Sequence, residues 1–137
     1  MSTPEPIWDD FSFDPTAFMS GQNMSKQWLC ENLERVSKEI EFNSPNIIYV
    51  LGGWYCLTNL MLRVRDNLPI ERVYSFDAND QATKGAMVLN EPYIWKGEFV
   101  AKTMDVNDVD YGYDPQIVIN TSVEHMLDKR WFDNIPD

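Results

Sequence analysis

Two short stretches constrain the fold more than any other part of the chain: NIIYVLGGWYC at residues 46–56 and RVYSFDAND at residues 72–80. The first is an apolar run that breaks at the paired glycines Gly52 and Gly53 and reopens at helical spacing through Leu57, Leu60, Met61 and Val64. The second apolar run ends on Asp77. Strand, tight turn, helix and a second strand closed by a carboxylate are the parts of a βαβ nucleotide-binding unit, so an adenosine-type ligand is the first expectation. Residues 47–51 are apolar at both parities and rich in β-branched side chains, which predicts a strand buried on both faces of a parallel sheet.

The rest of the chain extends this pattern. Residues 25–40, SKQWLCENLERVSKEI, place Trp28, Leu29, Leu33, Val36 and Ile40 on one helical face, with Glu31, Glu34, Lys38 and Glu39 opposite. Asn43, Ser44 and Pro45 end that helix, because a proline disfavours helix at the residue before it. Further strands are expected at 72–76, 99–104 and 116–120, with a helix at 80–89 and a weaker helical pattern at 124–132. The loop VNDVDYGYDP separates the last two strands, its aspartates and glycine suiting turns. Alternating helices and strands with right-handed crossovers predict an α/β fold, a Rossmann-like parallel sheet with flanking helices. Residues 1–24 mix Pro, Asp and Ser with Trp8, Phe11, Phe13 and Phe18 without a period. They read as an irregular arm that packs on a domain formed by residues 25–137.

Composition removes several classes of function. With 44% hydrophobic and 13% aromatic residues in 137, the chain has the make-up of one globular domain. Its 11 Lys and Arg against 22 Asp and Glu give a net charge of −11 and form no basic block, which argues against a broad nucleic-acid footprint while leaving room for a small local patch. Cys30 and Cys56 lie far apart without a CxxC spacing, as reduced cysteines of an intracellular protein do. The first residues have no basic, apolar leader pattern, and no apolar run approaches the roughly 18 residues that span a bilayer. The expectation is a soluble cytoplasmic protein with no membrane partner.

The candidate site residues each admit two readings. Gly52 and Gly53 let the backbone turn sharply and let a ligand approach a helix N-terminus, or they make a tight turn and nothing more. Asp77, at the carboxyl end of the second strand, accepts both ribose hydroxyls or caps the following helix. Asp105 ends the third strand where a side chain reaches an adenine amine, or serves a turn. Asn120, Thr121 and Ser122 line the end of the fourth strand, where open α/β sheets bind ligands, or simply terminate it. His125, the single histidine, adjoins Glu124 and is a general base or metal ligand, or a hydrogen-bonded structural group. Trp54 and Tyr55 stack on a nucleoside or belong to the core.

In its order of motifs the chain resembles the class I S-adenosylmethionine-dependent methyltransferases. The likeness runs through the turn Gly52, Gly53, Trp54, through Asp77 and Asp105, and through IVINTSVEHM at residues 117–126. It is similar in particular to small methyltransferase-like proteins of tailed phages, which carry a VLGGWYG-type turn and an INTSxEHM-type strand end. The resemblance covers the chain from about Trp28 onward. It implies S-adenosyl-L-methionine as cofactor, its methionine part held by Gly52, Gly53 and Trp54, its ribose by Asp77 and its adenine by Asp105 and Val106. Asn120 joins the cofactor site, and Asn120 and His125 are the catalytic candidates. The implied function is methyl transfer to an acceptor the sequence does not name, with a catalytically silent cofactor-binding or assembly module as the alternative.

Four departures accompany the likeness. Val50 stands where the family usually has an acid, and Cys56 where glycine is common. Thr121 interrupts the E-x-x-E-H pattern with which some members hold a divalent ion, so no metal is expected. The family's seven strands run 3-2-1-4-5-7-6, of which this chain shows 3-2-1-4 and lacks the later strands. The expectation that follows is a truncated chain, or a partner covering the edge of the fourth strand.

Overall fold

The computed structural model describes residues 12–39, 45–120, 122 and 130–136. Within them a 3-10 helix, Pro15–Phe18, leads into α1 (Ser20–Glu39), followed by β1 (Asn46–Leu51), α2 (Leu57–Arg65), β2 (Ile70–Asp77), α3 (Asp80–Leu89) and α4 (Glu91–Trp95). Then come β3 (Phe99–Thr103), a one-turn 3-10 helix (Val106–Asp108), β4 (Ile117–Asn120) and α5 (Arg130–Asp133). The four strands form a parallel sheet in the order β3-β2-β1-β4, the α/β Rossmann-like arrangement expected.

Strand alternation sorts the core into two layers. Ile48 and Val50 of β1, Val73 of β2, Phe99 of β3 and Ile119 of β4 face the helices and pack with Cys30, Leu62 and Ala86. Tyr49, Leu51, Tyr74 and Phe76 face the other way, against Val106, Val109, Tyr111 and Trp131. On that second face the cover is the connection between β3 and β4, joined by Trp131 of the short α5. Rings carry much of the packing there: Tyr49 stacks on Tyr111 at 5.3 Å, and Tyr74 on Tyr113 at 4.7 Å.

The structure differs from the sequence expectation in three ways. Helix α1 begins at Ser20, ahead of Ser25, and is preceded by the Asp14-capped 3-10 turn, so helix reaches into the stretch read as irregular. Phe13 and Phe18 set their rings 5.0 and 6.0 Å from that of Tyr55, and the Asp14 amide donates to the Tyr55 hydroxyl at 2.8 Å. These contacts dock the start of α1 beside the β1–α2 turn. Trp8 and Phe11 lie outside the described residues. Helix α4 adds a turn that the sequence pattern does not predict; its Pro92 falls in the first turn, where a missing N–H costs nothing.

The third difference is the orientation of α1. Leu29 and Leu33 meet the core as expected, but Trp28 is 64% exposed and Val36 39%, whereas Glu34, expected outside, is 7% exposed. Arg65 of α2 is the reason. Its guanidinium donates to both Glu34 oxygens, at 2.6 and 2.9 Å, and the Asn67 amide adds a bond at 3.3 Å. A forked pair of this kind satisfies a carboxylate that burial would otherwise penalise. Glu34→Ala is expected to lower unfolding stability, because the forked pair with Arg65 and the Asn67 bond are lost together.

The same pair sets a pH dependence. Its hydrogen bond to Arg65 holds the Glu34 carboxyl below its ordinary value of 4.5. A depressed folded-state value means that the contribution is complete above the unfolded value and is lost as pH falls through the folded one. Urea unfolding from pH 7 down to pH 3 is expected to show an acid loss that is shallower in Glu34→Ala. Equal slopes would show that the pair is electrostatically idle.

Candidate functional site

The site is built where β1 and β2 end side by side. After Leu51 the chain enters the left-handed region three times in five residues, at Gly52 (φ 65°), Trp54 (φ 52°) and Cys56 (φ 51°). The two non-glycine residues pay a steric cost there and need local support. Trp54 receives it from Asp77, whose Oδ2 accepts the Trp54 amide at 3.1 Å. The Gly52 amide donates to the Phe76 carbonyl at 2.7 Å, strapping the turn to the end of β2. Gly53 is required by space: a Cβ on it would lie 2.5 Å from Ser75 Oγ and 3.0 Å from Val50 Cγ1.

Asp77 does two jobs already. Its Oδ1 accepts the Asn79 amide at 2.9 Å while Oδ2 holds Trp54, and the capping of α3 falls to Asn79 instead, through bonds to Gln81 and Ala82. The capping alternative for Asp77 thus passes to Asn79. A carboxylate offers about four acceptor positions, so roughly two are left for a ligand, the number a ribose diol needs.

A cleft of about 420 Å³ opens beside this turn, within the roughly 300–1,000 Å³ range of small-molecule sites. Gly52, Gly53, Trp54 and Asp77 line it together with Asn79, Ala82 and Ser122. Ser122 closes the end of β4 onto the turn: its hydroxyl donates to the Gly52 carbonyl at 2.8 Å, and its amide donates to Asn120 Oδ1 at 2.9 Å. The remaining wall comes from α1, through Gln22, Ser25 and Lys26. They recur at i, i+3 and i+4, a spacing that puts them on one face, but no motif marks them.

The other candidates that fall on described residues do not line this cleft. Asp105 follows the end of β3, is exposed, and caps the 3-10 turn by accepting the Asn107 amide at 2.9 Å. Val106 is buried in the second core layer with Tyr49 and Phe76. Asn120 holds the backbone of Ser122 and lies beyond the cleft wall. His125, with Thr121 and Glu124, lies outside the described residues. Among the described residues no cluster of His, Cys, Asp and Glu suited to a metal ion is present.

Two titratable groups near the turn are perturbed by burial. Partial burial draws the Lys26 ammonium below its ordinary 10.5. Burial pushes the Cys56 thiol up to about 11 despite a hydrogen bond with Ser75, so it remains a neutral core group rather than a nucleophile. Both cysteines are free and buried. Among the described residues no helix is long and apolar enough to cross a membrane.

No protein-family model and no curated protein matches the chain in sequence. Solved structures match in fold. One is a candidate RNA methyltransferase from Pyrococcus horikoshii, with a TM-score of 0.48 and 16% identity over 86% of this chain and 50% of that one. Another is a candidate tRNA methyltransferase from Streptococcus pneumoniae, with a TM-score of 0.47 and 12% identity over 63% of this chain and 39% of that one. The chain thus spans half or less of the length of these two structures. At such identities and scores, function rests on the site itself.

Proposed function

We propose that the cleft binds S-adenosylmethionine and that the protein transfers its methyl group to an acceptor nucleophile. The observation that carries this reading is the placing of Asp77, at the carboxyl end of β2, on the wall of the same cleft as the Gly52-Gly53-Trp54 turn. In that arrangement the two open acceptor positions of Asp77 take the ribose hydroxyls. The turn backbone lies against the methionine part, and Gly53 lets that backbone close down on Ser75 and Val50 beneath it. The cofactor, when bound, supplies an electrophilic methyl on a sulfonium centre. The protein's share is to hold that centre in line with the acceptor and to exclude water, the orientation effect that supplies much of the rate in such transfers.

The described cleft wall holds Lys26 and Asp77 as its ionisable groups, and Asp77 is engaged by the Trp54 and Asn79 amides. An acceptor that must lose a proton would need a base from beyond them, and His125 is the candidate that the sequence supplies. This favours, as a second reading, a module that binds the cofactor without transferring its methyl group. A methyl-transfer assay comparing wild type with His125→Ala separates the two.

Binding itself is tested by thermal unfolding. At 100 times Kd, S-adenosylhomocysteine or S-adenosylmethionine is expected to add about 2.7 kcal/mol to stability and to raise Tm by several degrees. An unchanged Tm with both ligands at millimolar concentration would overturn both readings.

A further inference from the structure

The cleft carries an unmatched charge. Several cations of the chain make no ion pair among the described residues, but a lysine partly withdrawn from water on a cleft wall, with no carboxylate bonded to it, is a different case. Lys26 is such a residue. It is half-buried against the cleft, and the hydrogen bond found for it among the described residues runs to Gln22 Oε1, at 3.3 Å. The ion pairs among the described residues join Arg35, Arg63, Arg65 and Lys84 to acids and do not include Lys26.

Apart from Asp77, the described wall around it is neutral. Gln22 and Ser25 share its helix face, and the glycine turn lies across the cleft. The one carboxylate of the described wall is Asp77, committed to the Trp54 and Asn79 amides. No acid rises from the end of β1 either, because Val50 stands there, 2% exposed and packed beneath Gly53. A partly desolvated ammonium with three donors and a single amide acceptor is left with donors to offer to an anion.

We infer that the cleft reads the tail of its nucleoside ligand as an anion: Lys26 takes the ligand's carboxylate, and the neighbouring α-amino group has no acidic partner in the described wall. This rests on the assignment of an S-adenosyl ligand to the cleft. Asp77 fixes the ribose at one end and Lys26 the carboxylate at the other, so the two charges set the direction in which the ligand lies. The amino group stays hydrated or meets neutral oxygens, and its removal costs little.

The test is calorimetric titration of the full chain with S-adenosylhomocysteine, its decarboxylated analogue and its deaminated analogue. For wild type, loss of the carboxylate is expected to weaken binding about tenfold, the lower end of the range for a charge-assisted hydrogen bond, and loss of the amino group by about twofold or less. Lys26→Gln is expected to weaken S-adenosylhomocysteine about tenfold while leaving the decarboxylated analogue unchanged, and Lys26→Arg to retain most of the affinity. The substitutions lie on a helix surface and suit a helix, and circular dichroism verifies that α1 persists. Equal affinity of Lys26→Gln and wild type for S-adenosylhomocysteine would overturn the inference while leaving the cofactor reading intact. So would an equal loss with both the parent ligand and the decarboxylated analogue, or a deaminated analogue that binds as weakly as the decarboxylated one. Absence of binding by all three ligands to wild type would overturn the cofactor reading and this inference with it.

Discussion

Asp77→Ala is expected to lower the affinity for S-adenosylhomocysteine by about 10- to 100-fold, the largest single effect on binding in the cleft. Hydrogen bonds to an ionised group are worth roughly 1.5–3 kcal/mol, and each 1.4 kcal/mol is a factor of ten. Two routes lead to that loss. The alanine removes the acceptors assigned to the ribose, and it also releases the Trp54 amide, which donates to Asp77 Oδ2 at 3.1 Å while Trp54 sits at φ 52°. The second route loosens the turn that forms the methionine end of the site.

Asp77→Asn separates the two. One oxygen remains, and it serves either the Trp54 amide or a ribose hydroxyl, while the new NH₂ faces a second donor. If the ribose contact is real, the asparagine variant keeps most of the stability and still loses affinity. Should Asp77→Ala bind S-adenosylhomocysteine as wild type does, the ribose would have to lie elsewhere and the proposed orientation would fail.

Gly53→Ala is expected to destabilise the fold by about 1–3 kcal/mol, the usual cost of forcing an extra carbon into a packed interior. Its Cβ would fall 2.5 Å from Ser75 Oγ and 3.0 Å from Val50 Cγ1. Ser75 is 3% exposed and bonded to Cys56, and Val50 is 2% exposed, so neither side chain has free space to retreat into. The serine is the nearer obstacle. Combining Gly53→Ala with Ser75→Ala should therefore recover part of the loss, giving a coupling of the kind seen for residues in direct contact. Urea denaturation of the four proteins in that cycle measures it. Strict additivity of the two substitutions would mean that the turn moves as a unit and that Gly53 serves a purpose other than close approach.

What was legible in the chain, and what was not, follows from how far apart in sequence the interacting partners lie. The β1 turn could be read because its parts are contiguous: an apolar run, two glycines and a helical restart occupy a single window. Asp77 could be read because a parallel βαβ crossover puts the ends of its two strands together whatever the rest of the chain does. The face of α1 could not. Hydrophobic periodicity placed Trp28 inside and Glu34 outside, and the structure reverses both, because Glu34 is claimed by Arg65, 31 residues on. A pattern of residue types carries no record of such a partner.

Asp105 shows the same limit at the site. A carboxylate at the end of β3 has the right type and order for an adenine contact, yet it is exposed and bonds to Asn107, leaving the cleft wall to Asn79 and Ala82. Lys26 is the converse: no motif announces it, and it gains a role only because the docking of Phe13, Phe18 and Asp14 on Tyr55 brings the start of α1 to the turn.

The sequence by itself determined the parallel α/β alternation, the glycine turn and the carboxylate after β2, because periodicity, steric freedom and crossover handedness act locally or apply to every chain of this pattern; the strand order was implied by the family resemblance. The tertiary structure alone decided which helix forms the far wall of the cleft and which charge that wall carries. Those depend on side chains meeting across elements, where burial makes an ion pair or an unmatched lysine count for far more than it does along the chain.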